Sequence, residues 1–277
     1  MNLANELPLP RPRRRRGPRN SGLTAAAVAV YLFLYLPLVV VVLYSFSATK
    51  VNAWPIEGYT LDWYRELLQD GDIWESLRFS VFVGLCASGV AVVLGAMTAY
   101  ALDRFRFRGK TVVRFAVGLP IVLPGIVTGV ALLTFFSSTL GWQLSARTIV
   151  IGHVTFCITL VVNSVAARLS QLPRSLDEAS ADLGATPWRT FRRVTFPLVR
   201  PSIFAGAILA FTLSFDEIIV TFFLTGREKT LPLLIWGRLR RGISPEINAV
   251  ATVIILVSLV LVVVANRVLR RSGQSLF

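Results

Sequence analysis

The 277-residue chain contains two cysteines, two methionines and a single histidine, and only 16% of its residues carry a formal charge. Cys86 and Cys157 are too few and too far apart for a disulfide framework or a zinc site, so packing is their expected role. No metal site or cofactor is expected anywhere. His153 has no Ser or Cys nucleophile motif beside it, which leaves an intramembrane enzyme nothing to build on, and no catalytic residue is assigned. Acidic residues are scarce too, 15 against 29 Lys and Arg, for a formal net charge of +14. Such a balance raises the question of a nucleic-acid partner, and the placement of the charges has to answer it.

Apolar residues are abundant, 54% of the chain, with a mean hydropathy of +0.64. They fall into six blocks: Leu23–Phe46, Ser80–Ala101, Phe115–Phe136, Thr148–Ala167, Ile203–Leu224 and Ala249–Val268. A bilayer core about 30 Å thick takes about 20 apolar residues per helix, and lipid offers no partner to an open backbone amide. The expected class is therefore all-α: a polytopic membrane protein of six transmembrane helices. With six crossings both termini share one side, which then gathers Arg11, Arg13–Arg16 and Arg19, the Arg104–Arg114 loop, the Arg168–Arg200 loop and Arg267–Arg271. The positive-inside rule makes that side cytoplasmic, and the charges serve topology and anionic lipid rather than nucleic acid. Arg227, Lys229, Arg238, Arg240 and Arg241 on the outer side run against the rule locally.

Residues 1–22 hold four prolines among arginines and are expected to be a disordered cytoplasmic tail, the membrane domain to span 23–268, and 269–277 to form a second tail. The apolar run after the arginines exceeds the about 7 to 15 residues of a signal peptide and reads as an uncleaved first span. Between spans one and two, Leu61, Tyr64, Leu67 and Leu68 recur at helical spacing, predicting a short amphipathic helix on the outer surface with Trp54, Trp63 and Trp74 at the interface. Small residues four apart, Gly84 with Ser88, Ala91 with Gly95 and Gly125 with Gly129, predict close helix packing. Pro120 and Pro124 predict a kink in span three beside a cavity. Gly109-Lys110-Thr111 lacks the earlier glycine of a phosphate-binding loop, Arg104 standing in its place, so any ATPase must be another chain.

The most specific segment is 174–197, between spans four and five. Ser175 with Glu178 has the form of a capping box, Gly184 suits a left-handed helix end, and Thr186-Pro187 starts a second helix that Pro197 should end. The expected shape is helix, glycine turn, helix. In span five, Asp216 and Glu217 interrupt an apolar run where a charge costs about 2.5 to 3.5 kcal/mol. On a continuous helix Glu217 would share a polar stripe with Ser214 and Thr221, while Asp216 would lie below Thr212. That stripe could line a path for cations, or the carboxylates could be structural, pairing with a basic group or capping a break in the helix. His153 and Asn163 are expected to make interhelical hydrogen bonds.

Glu178-Ala179-Ser180, then Gly184, then Val194-Thr195-Phe196-Pro197 resembles the Glu-Ala-Ala signature of permease subunits of binding-protein-dependent ABC importers, with Ser180, Val194 and Phe196 as mild departures. The resemblance implies the type I importer permease fold and makes 174–197 the coupling hairpin, with Glu178, Ala179, Leu183, Gly184 and Ala185 at an ATPase contact. It implies as partners a cytoplasmic ABC ATPase dimer, a second homologous permease and a periplasmic or extracellular solute-binding protein. It also places the chain in a bacterial inner membrane. Trp63-Tyr64-Arg65-Glu66-Leu67-Leu68, Phe105-Arg106-Phe107-Arg108-Gly109, Leu119–Gly125 and Ser214-Phe215-Asp216-Glu217-Ile218 followed by Thr221 are similar to spermidine and putrescine permeases, implying a small polyamine substrate. Ser214, Asp216, Glu217 and Thr221 are then path candidates, and neutralising either carboxylate is expected to lower uptake. An ion-coupled secondary transporter using Asp216 or Glu217 is the competing reading.

Overall fold

The computed structural model describes residues 21–50, 52–240, 242 and 245–271, without the side chains of 21 and 261–271. The basic stretch 1–20 and residues 272–277 lie outside the described residues, as does Arg241. Among the described residues every regular element is helical. They are α1 (Ser21–Tyr44), α2 (Asp62–Gln69), α3 (Gly71–Arg104), α4 (Lys110–Val122), α5 (Gly125–Thr134), α6 (Ala146–Leu169), α7 (Ser175–Asp182), α8 (Pro187–Thr190), α9 (Phe196–Asp216), α10 (Ile219–Leu224), α11 (Leu231–Leu239) and α12 (Pro245–Arg271).

Four helices are long and apolar enough to cross a bilayer: α1, α3, α6, and the joined α8–α9 from Pro187 to Asp216. A fifth crossing is broken, and α12 is long enough, at 27 residues, to supply a sixth. It runs past the expected end of span six, so 269–271 are helix rather than tail. The core is the triangle of α3, α6 and α9, which pack pairwise. Small residues make that packing close: a Cβ on Gly95 would stand 2.8 Å from the Val161 side chain, one on Gly206 3.1 Å from the Val161 backbone, and one on Gly84 2.9 Å from Phe211. Val83, Ala91, Ala99, Val161, Val165 and Ala210 fill the space between. In lipid, where no hydrophobic effect drives helices together, this backbone approach is what holds them.

Span three departs from the expected kink. Its two halves meet at 107°, because Leu123 and Pro124 both take extended conformations and Pro124 has no amide to continue the ladder. Pro120, by contrast, is accommodated inside α4. The amphipathic helix exists as α2, but it does not merely lie on the surface. Leu67 is buried against Ile73, Leu231 and Val250, while Leu61 and Leu68 stay exposed. Trp63 is half-buried and donates to the Ser47 carbonyl at 2.7 Å.

Candidate coupling hairpin and the broken fifth span

The hairpin has the expected helix, glycine turn, helix shape but differs from expectation at both ends. Arg174, not Ser175, occupies the N-cap of α7, and its side chain makes no cap bond, so the predicted capping box is absent. The helix closes at Gly184, whose φ of +75° lies in the left-handed region. Thr186 then accepts from the Arg189 amide at 3.4 Å and starts α8 with Pro187 at its head. Pro197 does not stop this helix. One π-turn, Phe191–Thr195, widens the ladder there, and a proline at the start of the following α-turns removes an amide that needs no partner. The hairpin's second arm is therefore continuous with span five through Asp216.

Ser180, one of the departures from the signature, lies 2.9 Å from Thr190 through their hydroxyls and ties the two arms together. Asp177 pairs with Arg104 at the end of α3 at 3.2 Å, and Arg174 donates to the Asp103 carbonyl. Phe191 packs edge-on against Tyr100, with Trp188 stacked upon it. The turn itself stands clear of the bundle: Leu183 is 89% exposed and Trp188 68%. Glu178, Ala179, Leu183, Gly184 and Ala185 thus cluster on one protruding corner anchored to both α3 and α9, a shape suited to docking in a partner's cleft.

Span five does not carry the continuous polar stripe. The helix ends at Asp216, Glu217 is extended (φ −73°, ψ 119°), and α10 begins at Ile219. Glu217 Oε1 accepts from the Val220 amide at 3.0 Å, capping α10, so its carboxylate is engaged by backbone. Ser214 and Thr221, on either side of the break, are both buried and both face His153 of α6. His153 Nδ1 lies 2.7 Å from Ser214 Oγ, and Nε2 lies 2.9 Å from Thr221 Oγ1. Thr221 donates its own proton to the Glu217 carbonyl at 2.8 Å. Nε2 must then be the donor toward Thr221, and Ser214 donates to Nδ1. The ring clasps both halves of the broken span through the buried hydroxyls of Ser214 and Thr221. Thr148 of α6 adds a bond to the Leu224 carbonyl at 2.9 Å, fixing the far end of α10. The expected interhelical bond of His153 is present, whereas Asn163 is exposed.

Asp216 is the exception. It is exposed, and among the described residues no hydrogen bond or ion pair engages it. Sequence reasoning missed its surroundings, because the basic loop 227–241 contains the apolar helix α11. A signal was present: Thr230 before Leu231-Pro232 puts a threonine just ahead of a helix with proline in its first turn. Leu231 donates its amide to Ser80 of α3 at 2.7 Å, and α11 rises from there to Arg238, which pairs with Asp70 at 2.7 Å and also with Asp72 and Glu246. These three carboxylates gather around one of the five basic residues that ran against the topology rule. The bond to Arg238, reinforced by the Ile73 amide, holds the Asp70 carboxyl below its usual value of 3.8 against the opposing effect of burial.

Residues 91–277 match the family described as the binding-protein-dependent transport system inner membrane component. The chain is 40% identical to the putrescine transport system permease protein of Escherichia coli (strain K12) over 76% of its length and 78% of the relative's. It is 36% identical to the spermidine/putrescine transport system permease protein of the same strain, over 77% and 81%. Among solved structures, a bacterial ABC transporter involved in the import of the acidic polysaccharide alginate aligns with a TM-score of 0.65 at 20% identity, covering 94% of this chain and 99% of that one. An alginate transporter in complex with its ligand-bound periplasmic protein aligns at 0.70 and 17% identity, covering 92% and 94%. The fold and the family agree: this chain is a multi-pass permease subunit of the binding-protein-dependent ABC importers, a transport component whose ATP hydrolysis resides in a separate subunit.

Proposed function

We propose that the chain forms, with a second homologous permease, the membrane path through which a polyamine such as putrescine or spermidine is imported. A periplasmic solute-binding protein delivers the polyamine at the outer face near α2 and α11. A cytoplasmic ATPase dimer grips the corner made by Glu178, Ala179, Leu183, Gly184 and Ala185. Both termini are cytoplasmic, which follows from placing that basic hairpin at the ATPase. The permease alternates access and does no chemistry on its solute.

The observation that carries the substrate class is Asp216, an exposed carboxylate without a partner among the described residues at the break of span five, in a chain 40% identical to a putrescine permease. A carboxylate beside a path offsets part of an ammonium's lost hydration. Glu217, held by the α10 cap, supports structure rather than passage. A secondary transporter is disfavoured by the family and by the engagement of that carboxylate.

The test is reconstitution in liposomes with the ATPase, the second permease and the binding protein. ATP-dependent accumulation of putrescine is expected. Uptake driven by an ion gradient without the ATPase would overturn the importer reading, and stimulation of ATP hydrolysis only by a neutral or anionic solute would overturn the substrate class.

A further inference from the structure

At the hairpin end of the bundle a groove of about 500 Å³ runs between α3, α6 and the joined α8–α9. Its lining is apolar and aromatic, with Met97, Tyr100, Phe105, Trp188, Phe191 and Val199 prominent, and no charged side chain enters it. Met97, Phe105 and Trp188 are exposed, so no described segment covers them. The groove follows α3 from Ala96 to Phe105, about 14 Å at 1.5 Å per residue, close to half of a bilayer core about 30 Å thick. Its rim is cationic. Lys110 donates from Nζ to the Phe105 carbonyl at 3.2 Å, which fixes one ammonium at the mouth. Arg106, Arg189, Arg192 and Arg200 each follow a lining residue in the sequence and are exposed, and among the described residues no hydrogen bond or ion pair engages their side chains.

We infer that this groove is a binding site for a glycerophospholipid with an anionic headgroup, one acyl tail lying along α3 and α9 and the phosphate held at the mouth by Lys110 and Arg106. The two halves of the site call for the two halves of such a molecule. A free phosphate would leave the apolar lining empty of hydrocarbon, and a lipid without net charge would leave the rim without counter-charge. Hydrocarbon burial and basic side chains together hold a lipid more firmly than either does alone. Trp188 at the mouth suits the headgroup level, where indoles gather. The polypeptide's own segment 1–20, with six arginines and one glutamate, would be repelled by the same rim. The floor of the groove includes the edge-on contact of Tyr100 with Phe191, 5.0 Å between ring centres, which joins α3 to the hairpin. An acyl tail seated there braces the hairpin against α3. The site shares no residue with the corner around Leu183 or with Asp216, and it does not depend on which solute is carried.

The experiment uses the complete importer in phosphatidylcholine nanodiscs containing a photoreactive phosphatidylglycerol with a diazirine in its acyl tail. Labelling is expected within 96–105 and 187–203, displaced by unlabelled phosphatidylglycerol but by neither additional phosphatidylcholine nor inorganic phosphate. Ala101→Trp, which fills the groove, should abolish it, and Arg106→Gln and Lys110→Gln should each weaken it about fivefold. Amide hydrogen exchange over 187–195 should be slower with phosphatidylglycerol than in phosphatidylcholine alone. Assembly is followed separately by co-purification of the second permease and the ATPase; if Ala101→Trp does not assemble, the two rim variants decide. Equal displacement by phosphatidylcholine reduces the groove to ordinary lipid contact, and displacement by phosphate makes the rim a free-anion site; either overturns the proposal. Undiminished labelling in the assembled variants overturns it as well. Labelling of the second permease in place of these residues makes the groove a subunit interface, with the same consequence. Labelling with unchanged amide exchange overturns the bracing of the hairpin.

Discussion

Glu217 stands at non-helical backbone angles, and that places its carboxylate over the first turn of α10 while Asp216, one residue earlier, has no partner among the described residues. Neutralisation should therefore affect the two differently, whereas from the sequence both changes were expected to lower uptake. A glutamine keeps the acceptor oxygen that Val220 needs, so Glu217→Gln should transport within about twofold of wild type. Glu217→Ala removes the cap and should cost about 1 kcal/mol of stability, read as a lowered unfolding temperature in detergent. His153→Leu tests the clasp: it leaves Ser214 buried without its partner, and a loss of about 1 to 2 kcal/mol is expected. If His153→Leu unfolds at the wild-type temperature, the two halves of span five are held by something other than this ring.

The hairpin turn depends on Gly184 for conformation alone, since a Cβ there would meet no atom within 4 Å. Gly184→Val should thus strain the turn by about 1 to 2 kcal/mol without disturbing the bundle. Co-purification of the ATPase should fall while membrane insertion is unchanged; full assembly and transport by this variant would remove the hairpin from the coupling contact. Elements of this kind were legible in the sequence because their signals are local: a glycine at a helix end, a threonine followed by proline, or 20 apolar residues in a row. The breaks in spans three and five were less legible. Pro120 and Pro124 announce a disturbance, but only Pro124 breaks the helix, because Pro120 finds a place in α4. At Asp216-Glu217 the chain contains no proline or glycine, and the break is supported by His153, 61 residues before Ser214 and 68 before Thr221, a contact that no local pattern encodes. The same holds for Pro197, whose expected stop was cancelled by a π-turn. Helix α11 was overlooked because its arginines dominated a segment whose apolar residues Leu231, Ile235 and Leu239 share a cleft with Asp216.

Over the whole molecule, Arg238 joins α11 to the head of α3 and to α12 at the end of the bundle opposite the hairpin. Because Asp70 is held below its usual value near 3.8, its stabilising pairing is fully present above that value and is lost as pH falls through the lower folded value. Thermal unfolding of wild type should exceed that of Arg238→Gln at neutral pH and at pH 5, and the difference should close only below about pH 4. A gap that closes by pH 6 would point to another group. Cysteines placed at positions 64 and 240 should react with an impermeant reagent from the periplasmic side only; native Cys157 is buried and needs no replacement, unlike half-buried Cys86. The unbroken 30-residue helix from Pro187 to Asp216 also has a mechanical meaning. At 1.5 Å per residue it is a lever about 45 Å long, and a tilt of about 5° about its hairpin end carries its Asp216 tip sideways by about 4 Å.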